Sequence, residues 1–280
     1  MNGETKLRLA LLADVHLGTA QTQFPNQDYT YASELLRRAV SAIRALHPNE
    51  VVVVGDLVNM GTAEEYALAR PILDELRIPI IAVPGNHEFV KGNADLFFRN
   101  AIGARLDYAT IDEPILPSIV YLNSGIEGLS PWHWHGQVSQ AGLDLLEQVS
   151  QLRPDRSVIV FCHHPPENTV RHPGHPMMGL LNTDEVMARL LRHPQPVVMF
   201  CGHTHVADVY RRRNLTVIGC PPLCFWPHGF LMVELRDSSM HVRVRRLIER
   251  AEDSPDPYIK KPGYLQEREP WVSELTLRLT

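Results

Sequence analysis

The stretch "VVMFCGHTHVADVY", residues Val197–Tyr210, decides how the rest of the chain is read. Its first five residues form a short, continuous apolar run, the pattern of a strand buried on both faces. The run stops at Gly202 and delivers His203 and His205 one residue apart. Two imidazoles beyond a buried strand can clip a metal, face a phosphate, or be ordinary loop residues. The neighbouring runs discriminate between these readings.

Five further apolar runs precede it: Leu7–Ala13, Val51–Val54, Pro79–Val83, Ile119–Leu122 and Val158–Cys162. Helical periodicity falls between several of them. Tyr29–Leu46 places Leu35, Leu36, Ala39, Val40 and Ile43 on one face. Thr62–Leu76 opens with a Thr-x-x-Glu capping box, Thr62 and Glu65. Ser139–Leu152 and Thr183–Leu191 are similar, the latter with Asp184 and Glu185 in its first turn, where the helix dipole favours acids. Such alternation predicts an α/β fold with largely parallel strands. After His205 the pattern changes. Val206–Tyr210, Leu215–Ile218, Phe230–Leu235 and His241–Leu247 are closely spaced and read as antiparallel strands without helices. From Ala251 the chain is Pro-rich and charged until Glu274–Leu279, and a tail packing on the surface or on a partner is expected.

Composition narrows the class. With 44% hydrophobic residues the chain can bury a sizeable core, and its net charge of −5 gives no general attraction to nucleic acid or to an anionic membrane. No run approaches the length of a membrane span, and the first residues lack the apolar core of a signal peptide. Two of the four cysteines, Cys162 and Cys201, close strand-like runs, where thiols act as small buried hydrophobes. Cys220 and Cys224 are read as free thiols, and a reduced, cytoplasmic setting is expected.

The residues after each apolar run carry the chemistry. The first run delivers Asp14-Val15-His16, the second Gly55-Asp56, and the third Gly85-Asn86-His87-Glu88. The fifth delivers His163-His164-Pro165, and the sixth Gly202-His203-Thr204-His205. In open α/β sheets, ligands bind beyond the carboxyl ends of strands. Gly55, Gly85 and Gly202 permit the close approach that a converging site requires. Carboxylate, amide oxygen and imidazole without thiolate suit Mn, Fe, Zn, Co or Ni. Seven such ligands exceed what one catalytic ion with an open position takes. They suit two ions about 3.5–4 Å apart that share a carboxylate, with His203 and His205 reaching different ions. Other residues carry blander readings. Trp132-His133-Trp134-His135 is expected to be local packing and Lys260-Lys261 a solvated pair. The Arg171–His175 loop can rim the pocket.

The ordered set Asp-x-His, Gly-Asp, Gly-Asn-His-Glu, His-His-Pro, Gly-His-x-His, spanning Leu9 to about Val233, resembles the calcineurin-like metallophosphoesterase superfamily, and no block departs from its pattern. The resemblance implies a four-layer α/β/β/α sandwich of two mixed sheets flanked by helices. It would fill a domain over residues 1–250, with 251–280 as the tail. It implies two divalent or trivalent transition-metal ions (Mn, Fe or Zn). Asp14, His16 and His205 would hold one ion, Asn86, His163 and His203 the other, and Asp56 would bridge both. His87 would be a catalytic histidine that is not a ligand. The implied reaction is attack on phosphorus by a hydroxide shared by the ions, its pKa lowered from about 15.7 towards about 7. Gly179–His205 and Cys220–Leu235 look like the bacterial class III cyclic-nucleotide phosphodiesterase and glycerophosphodiesterase branch, although Pro221-Pro222-Leu223 stands where that branch carries small residues. The implied substrate is therefore a small phosphodiester, with Phe225, Trp226 and His228 at the pocket rim. A phosphomonoesterase, or a DNA exonuclease resembled by the Asp14–Gly18 opening, is the alternative. A non-enzymatic scaffold does not fit seven intact ligands, no membrane or nucleic-acid partner is expected, and a homo-oligomer is left open.

Overall fold

The computed structural model describes residues 4–19, 31–111, 116–128, 134–171, 178–256, 258–268 and 273–279. Trp132, His133 and the loop residues His172–His175 lie outside them. In chain order the elements are β1 (Thr5–Leu12), α1 (Ala32–Leu46), β2 (Glu50–Val54), α2 (Ala63–Asp74), β3 (Ile80–Val83), α3 (Ala94–Asn100), β4 (Tyr108–Thr110) and β5 (Ser118–Leu122). They continue with α4 (Gln140–Leu152), β6 (Val158–Cys162), α5 (Thr183–Arg192), β7 (Val197–Cys201), β8 (Val209–Arg212), β9 (Leu215–Gly219), β10 (Gly229–Arg236), β11 (Ser239–Arg246), α6 (Tyr264–Arg268) and β12 (Glu274–Arg278).

These strands build two six-stranded sheets, ordered β12-β11-β10-β1-β2-β3 and β4-β5-β6-β7-β9-β8. Both are mixed: β1 is parallel to β2 and antiparallel to β10, and β5, β6, β7 and β9 run parallel beside antiparallel β4 and β8. Alternation along each strand explains the layers. Leu9 and Leu11 of β1 meet Phe161, Val198 and Phe200 of the facing sheet. Ala10 and Leu12 point the other way, into the core made with α1 and α2. In the second sheet, Val158, Val160 and Cys162 pack under Leu143 and Leu146 of α4 and Val186 and Leu190 of α5. Strands buried on both faces account for the continuous apolar runs, and the result is the α/β/β/α sandwich.

Local signals behave as their chemistry requires. The Thr62/Glu65 capping box is formed at the start of α2, and α1 buries Leu35, Leu36, Ala39, Val40 and Ile43. Three features differ from the sequence reading. The segment after His205 is not purely antiparallel: β9 pairs parallel with β7, Val197 opposite Leu215, and β8 lies outside it as the edge. The turn at Arg213-Asn214 fixes a hairpin but not which arm docks on β7. The α3 helix was not anticipated, although Asn93 caps it through the Leu96 N–H at 2.8 Å. Residues 251–279 supply β12, paired with β11 from Ser239–Arg278 to Arg243–Glu274, and bury Tyr264, Leu277 and Leu279.

Between the sheets, the Tyr121, Phe161 and Phe200 rings stack at centroid separations of 5.4 and 5.6 Å. Phe200 is fully buried two residues before Gly202, so its ring anchors the strand that presents His203 and His205. Phe200→Ala is expected to cost about 3–5 kcal/mol, the range for emptying an aromatic core position. Urea unfolding of variant and wild type checks it.

Candidate metal centre

The carboxyl ends of β1, β2, β3, β6 and β7 meet at one edge of the sandwich, and backbone bonds draw them together. Beyond β1 and β2 the chains stay zipped: Val15 and His16 N–H both donate to Asp56 O at 2.9 Å, and Leu17 N–H donates to Leu57 O at 3.0 Å. Side chains then stitch one sheet to the other. The Asp14 carboxylate accepts the His203 N–H at 2.9 Å. His163 Nδ1 donates to the Val54 carbonyl at 2.9 Å, which turns Nε2 toward Asp56.

Tight turns make this convergence sterically feasible. A Cβ on Gly55, whose φ is +81°, would overlap the His163 ring, and one on Gly85 would overlap the Asp56 carboxylate. The residues carrying the chemistry are themselves turned: Asp14, His16, Asp56, His203 and His205 all have φ between 49° and 68°. Left-handed backbone at non-glycine residues is costly and concentrates where function over-determines the structure. Glycine placement foreshadowed the close approach. Nothing in the sequence revealed the left-handed carboxylates and imidazoles.

Two clusters result. Asp14, His16, Asp56 and His205 bring ligand atoms within 4.8 Å of one another. His16 Nε2 lies 3.2 Å from His205 Nε2, and His205 Nε2 lies 3.4 Å from Asp14 Oδ1. The second cluster is His163, His164 and His203. Asp56 stands between them, its Oδ2 3.7 Å from His16 Nε2 and 3.1 Å from His163 Nε2. Its other oxygen accepts the His87 N–H at 2.9 Å. The His87 ring meets His16 edge-on at 4.3 Å, and its Nδ1 donates to the Asn59 carbonyl at 2.7 Å.

Electrostatics follow from crowding and burial. Burial, reinforced by neighbouring His87, holds the His16 pKa well below its usual value, and burial with His164 does the same to His203. Burial also opposes charge on His163, but the adjacent Asp56 carboxylate outweighs it and raises the pKa to about 9. For Asp56, burial is likewise overridden: His163, His87 and His16 hold the carboxyl well below the usual range. Buried Asp14 Oδ2, Asn86 Oδ1 and His203 Nε2 make no hydrogen bond within the described structure. A buried polar atom left so costs about 1–3 kcal/mol, and a cation satisfies oxygen and imidazole donors of this kind. The residues therefore fit a metal site. Cys162 and Cys201 do not contribute, since both pack toward the outer helices and burial raises their thiol pKa values, that of Cys162 to about 12.

Two further residues, outside the expected ligand set, shape the site. Glu88 is fully buried and its carboxylate gathers the N–H groups of Asp56, Val58 and Gly85 at 2.9, 3.2 and 2.6 Å. It thus ties the turn after β2 to the turn after β3. Burial, with Asp56 close by, raises its pKa to about 7. His164 packs its ring 4.4 Å from that of His203, with Nδ1 on Ser124 Oγ at 2.8 Å. Its place in the His-His-Pro block was the available signal. The expected rim is corrected. Phe225 lies against the site, 4.7 Å from the His205 ring, whereas Trp226 packs into the α1/α2 core. His228 is fully buried, bonded to Leu223 O and Ser254 Oγ.

Known proteins resemble the chain to different depths. The chain is 30% identical over 190 residues to the glycerophosphodiester phosphodiesterase GpdQ of Enterobacter lignolyticus, a match covering 62% of each chain. It is 25% identical to a 3′,5′-cyclic-nucleotide phosphodiesterase of Nostoc sp., covering 80% of this chain and 81% of the relative. In fold it is similar to a dimetal phosphatase from Danio rerio, with a TM-score of 0.74 at 19% identity over 88% of this chain and 98% of that one. The calcineurin-like phosphoesterase profile matches residues 7–207, which hold every residue of the two clusters. The chain belongs to the calcineurin-like phosphoesterase family.

Proposed function

We propose that the chain is a dinuclear-metal phosphohydrolase whose substrates are small phosphodiesters, cyclic nucleotides or glycerophosphodiesters. The observation that carries this reading is the Asp56 carboxylate, 3.7 Å from one imidazole set and 3.1 Å from the other. Asp14, His16 and His205 are assigned to one ion, Asn86, His163 and His203 to the second, and Asp56 to both. The donor set suits Mn, Fe or Zn. When bound, such ions supply Lewis acidity and a source of hydroxide at neutral pH.

The chain's own residues do the positioning. Asp56 and Asp14 fix the imidazoles by charge and by their backbone contacts. His87 is assigned as the general acid. With Nδ1–H held on the Asn59 carbonyl, the imidazolium form of His87 carries its transferable proton on Nε2 and hands it to the departing oxygen, leaving the neutral ring. Phe225, beside His205 and His16, gives an apolar wall suited to an organic substituent on phosphorus. Arg171, a cation near this edge, is engaged by Asp208 at 3.2 Å. Both observations support a diester over a more highly charged monoester, as do the names of the bacterial relatives. No described helix is long and apolar enough to cross a membrane, and four buried cysteine thiols suit a cytoplasmic setting.

Three outcomes test the reading. Asp56→Ala is expected to lose both ions together and abolish turnover, and metal titration showing two intact sites would contradict the bridge. His87→Ala is expected to keep both ions while kcat falls by roughly 10²–10⁴. That fall should shrink for a nitrophenolate leaving group, which needs no proton; an equal fall for good and poor leaving groups would make His87 a phosphate contact instead. The kcat/KM for bis-nitrophenyl phosphate should exceed that for nitrophenyl phosphate at the same metal loading. The reverse order would favour a phosphomonoesterase.

A further inference from the structure

The segment after β11 reaches back to the metal centre. Asp256 is 2% exposed, and its carboxylate accepts the Trp226 N–H at 3.0 Å and the Tyr258 N–H at 2.9 Å, together with the Tyr264 hydroxyl. Two residues earlier, Ser254 Oγ bonds His228 Nε2 at 2.7 Å, while His228 Nδ1 donates to Leu223 O at 2.9 Å. These contacts hold residues 222–228 from behind, and Gly229 N–H closes the loop on Pro222 O at 3.1 Å.

The other side of the loop lies on the site. Leu223 and Cys224 N–H donate to Ala13 O and Asp14 O at 3.0 and 3.1 Å, extending β1 to the first carboxylate. The Phe225 ring lies 4.7 Å from that of His205 and 6.2 Å from that of His16, and Tyr258 backs it at 6.2 Å. The contacts therefore fall on Asp14, His16 and His205, the residues assigned to one ion. A buried carboxylate shared by three donors is a stiff anchor, because removing it strands groups that water cannot reach.

We propose that Asp256 is a positioning residue for the half-site of Asp14, His16 and His205. Acting through the 222–228 loop, it sets the affinity of one ion and not of the other. This rests on the dinuclear reading above.

Mn²⁺ titrated into the metal-stripped full-length chain tests it by calorimetry, independently of turnover. Wild type is expected to take up two equivalents. Asp256→Asn, which turns an amide N–H toward backbone and hydroxyl donors, is expected to weaken one equivalent about tenfold or more and leave the other unchanged, in the range for groups that orient metal ligands. Added to His205→Ala it should weaken the remaining equivalent no further, whereas added to His203→Ala it should. Tyr264→Phe, which deletes one donor, should weaken the same equivalent by less, and it carries the comparison where Asp256→Asn does not fold. Equal weakening of both equivalents with a lowered Tm would make Asp256 purely structural and overturn the proposal, as would two unchanged equivalents. Fewer than two equivalents in the wild type would instead overturn the dinuclear reading, and this proposal with it.

Discussion

Everything at the functional edge depends on one carboxylate being held where neither sheet alone could hold it. Asp56 leaves the end of β2 with a left-handed backbone, meets His16 from its own sheet, and meets His163 from the facing one. Bringing a carboxylate and this many imidazoles out of water is unfavourable unless each charge finds a partner. The imidazoles nearest Asp56 therefore respond in opposite ways. His163 gains proton affinity from the carboxylate and His16 loses it to burial. The sandwich behind them supplies the stability that such an edge consumes. Its central strands are buried on both faces, and its aromatic stack runs across β5, β6 and β7.

How much of this the amino-acid order disclosed depends on the range of the interaction. The runs ending at Ala13, Val54, Val83, Cys162 and Cys201 were legible because strands buried on both faces show as unbroken apolar stretches. The chemistry at their ends was legible because the same kinds of residue recur there. Gly55 and Gly85 were legible as points of close approach, and the structure supplies the reason in the His163 ring and the Asp56 carboxylate. What stayed hidden was set by partners distant in sequence. β9 runs parallel to β7 because of where a hairpin docks, and its turn residues do not encode that.

The same reason explains Trp226 and His228. As residues beside the site in sequence they read as rim, yet Asp256 and Ser254, about 30 residues later, turn them inward. Glu88 looked like the last letter of a motif. Its three backbone donors come from two separate turns, so its role is visible only once β2 and β3 lie side by side. His164 shows the converse: it sat inside a recognised block, but its packing on His203 depends on how β6 and β7 align.

The last strand bears on how the protein tolerates being shortened or extended. β12 covers the hydrogen-bonding side of β11 and presents Glu274 and Arg278 outward, with Glu274 also paired to Arg243. Charged side chains on a short terminal strand discourage other chains from adding to a sheet. A chain ending after β11 would show eight residues of open backbone beside the uncovered apolar floor at Met240 and Val242. It would be inclined to self-associate during expression, however intact its histidines.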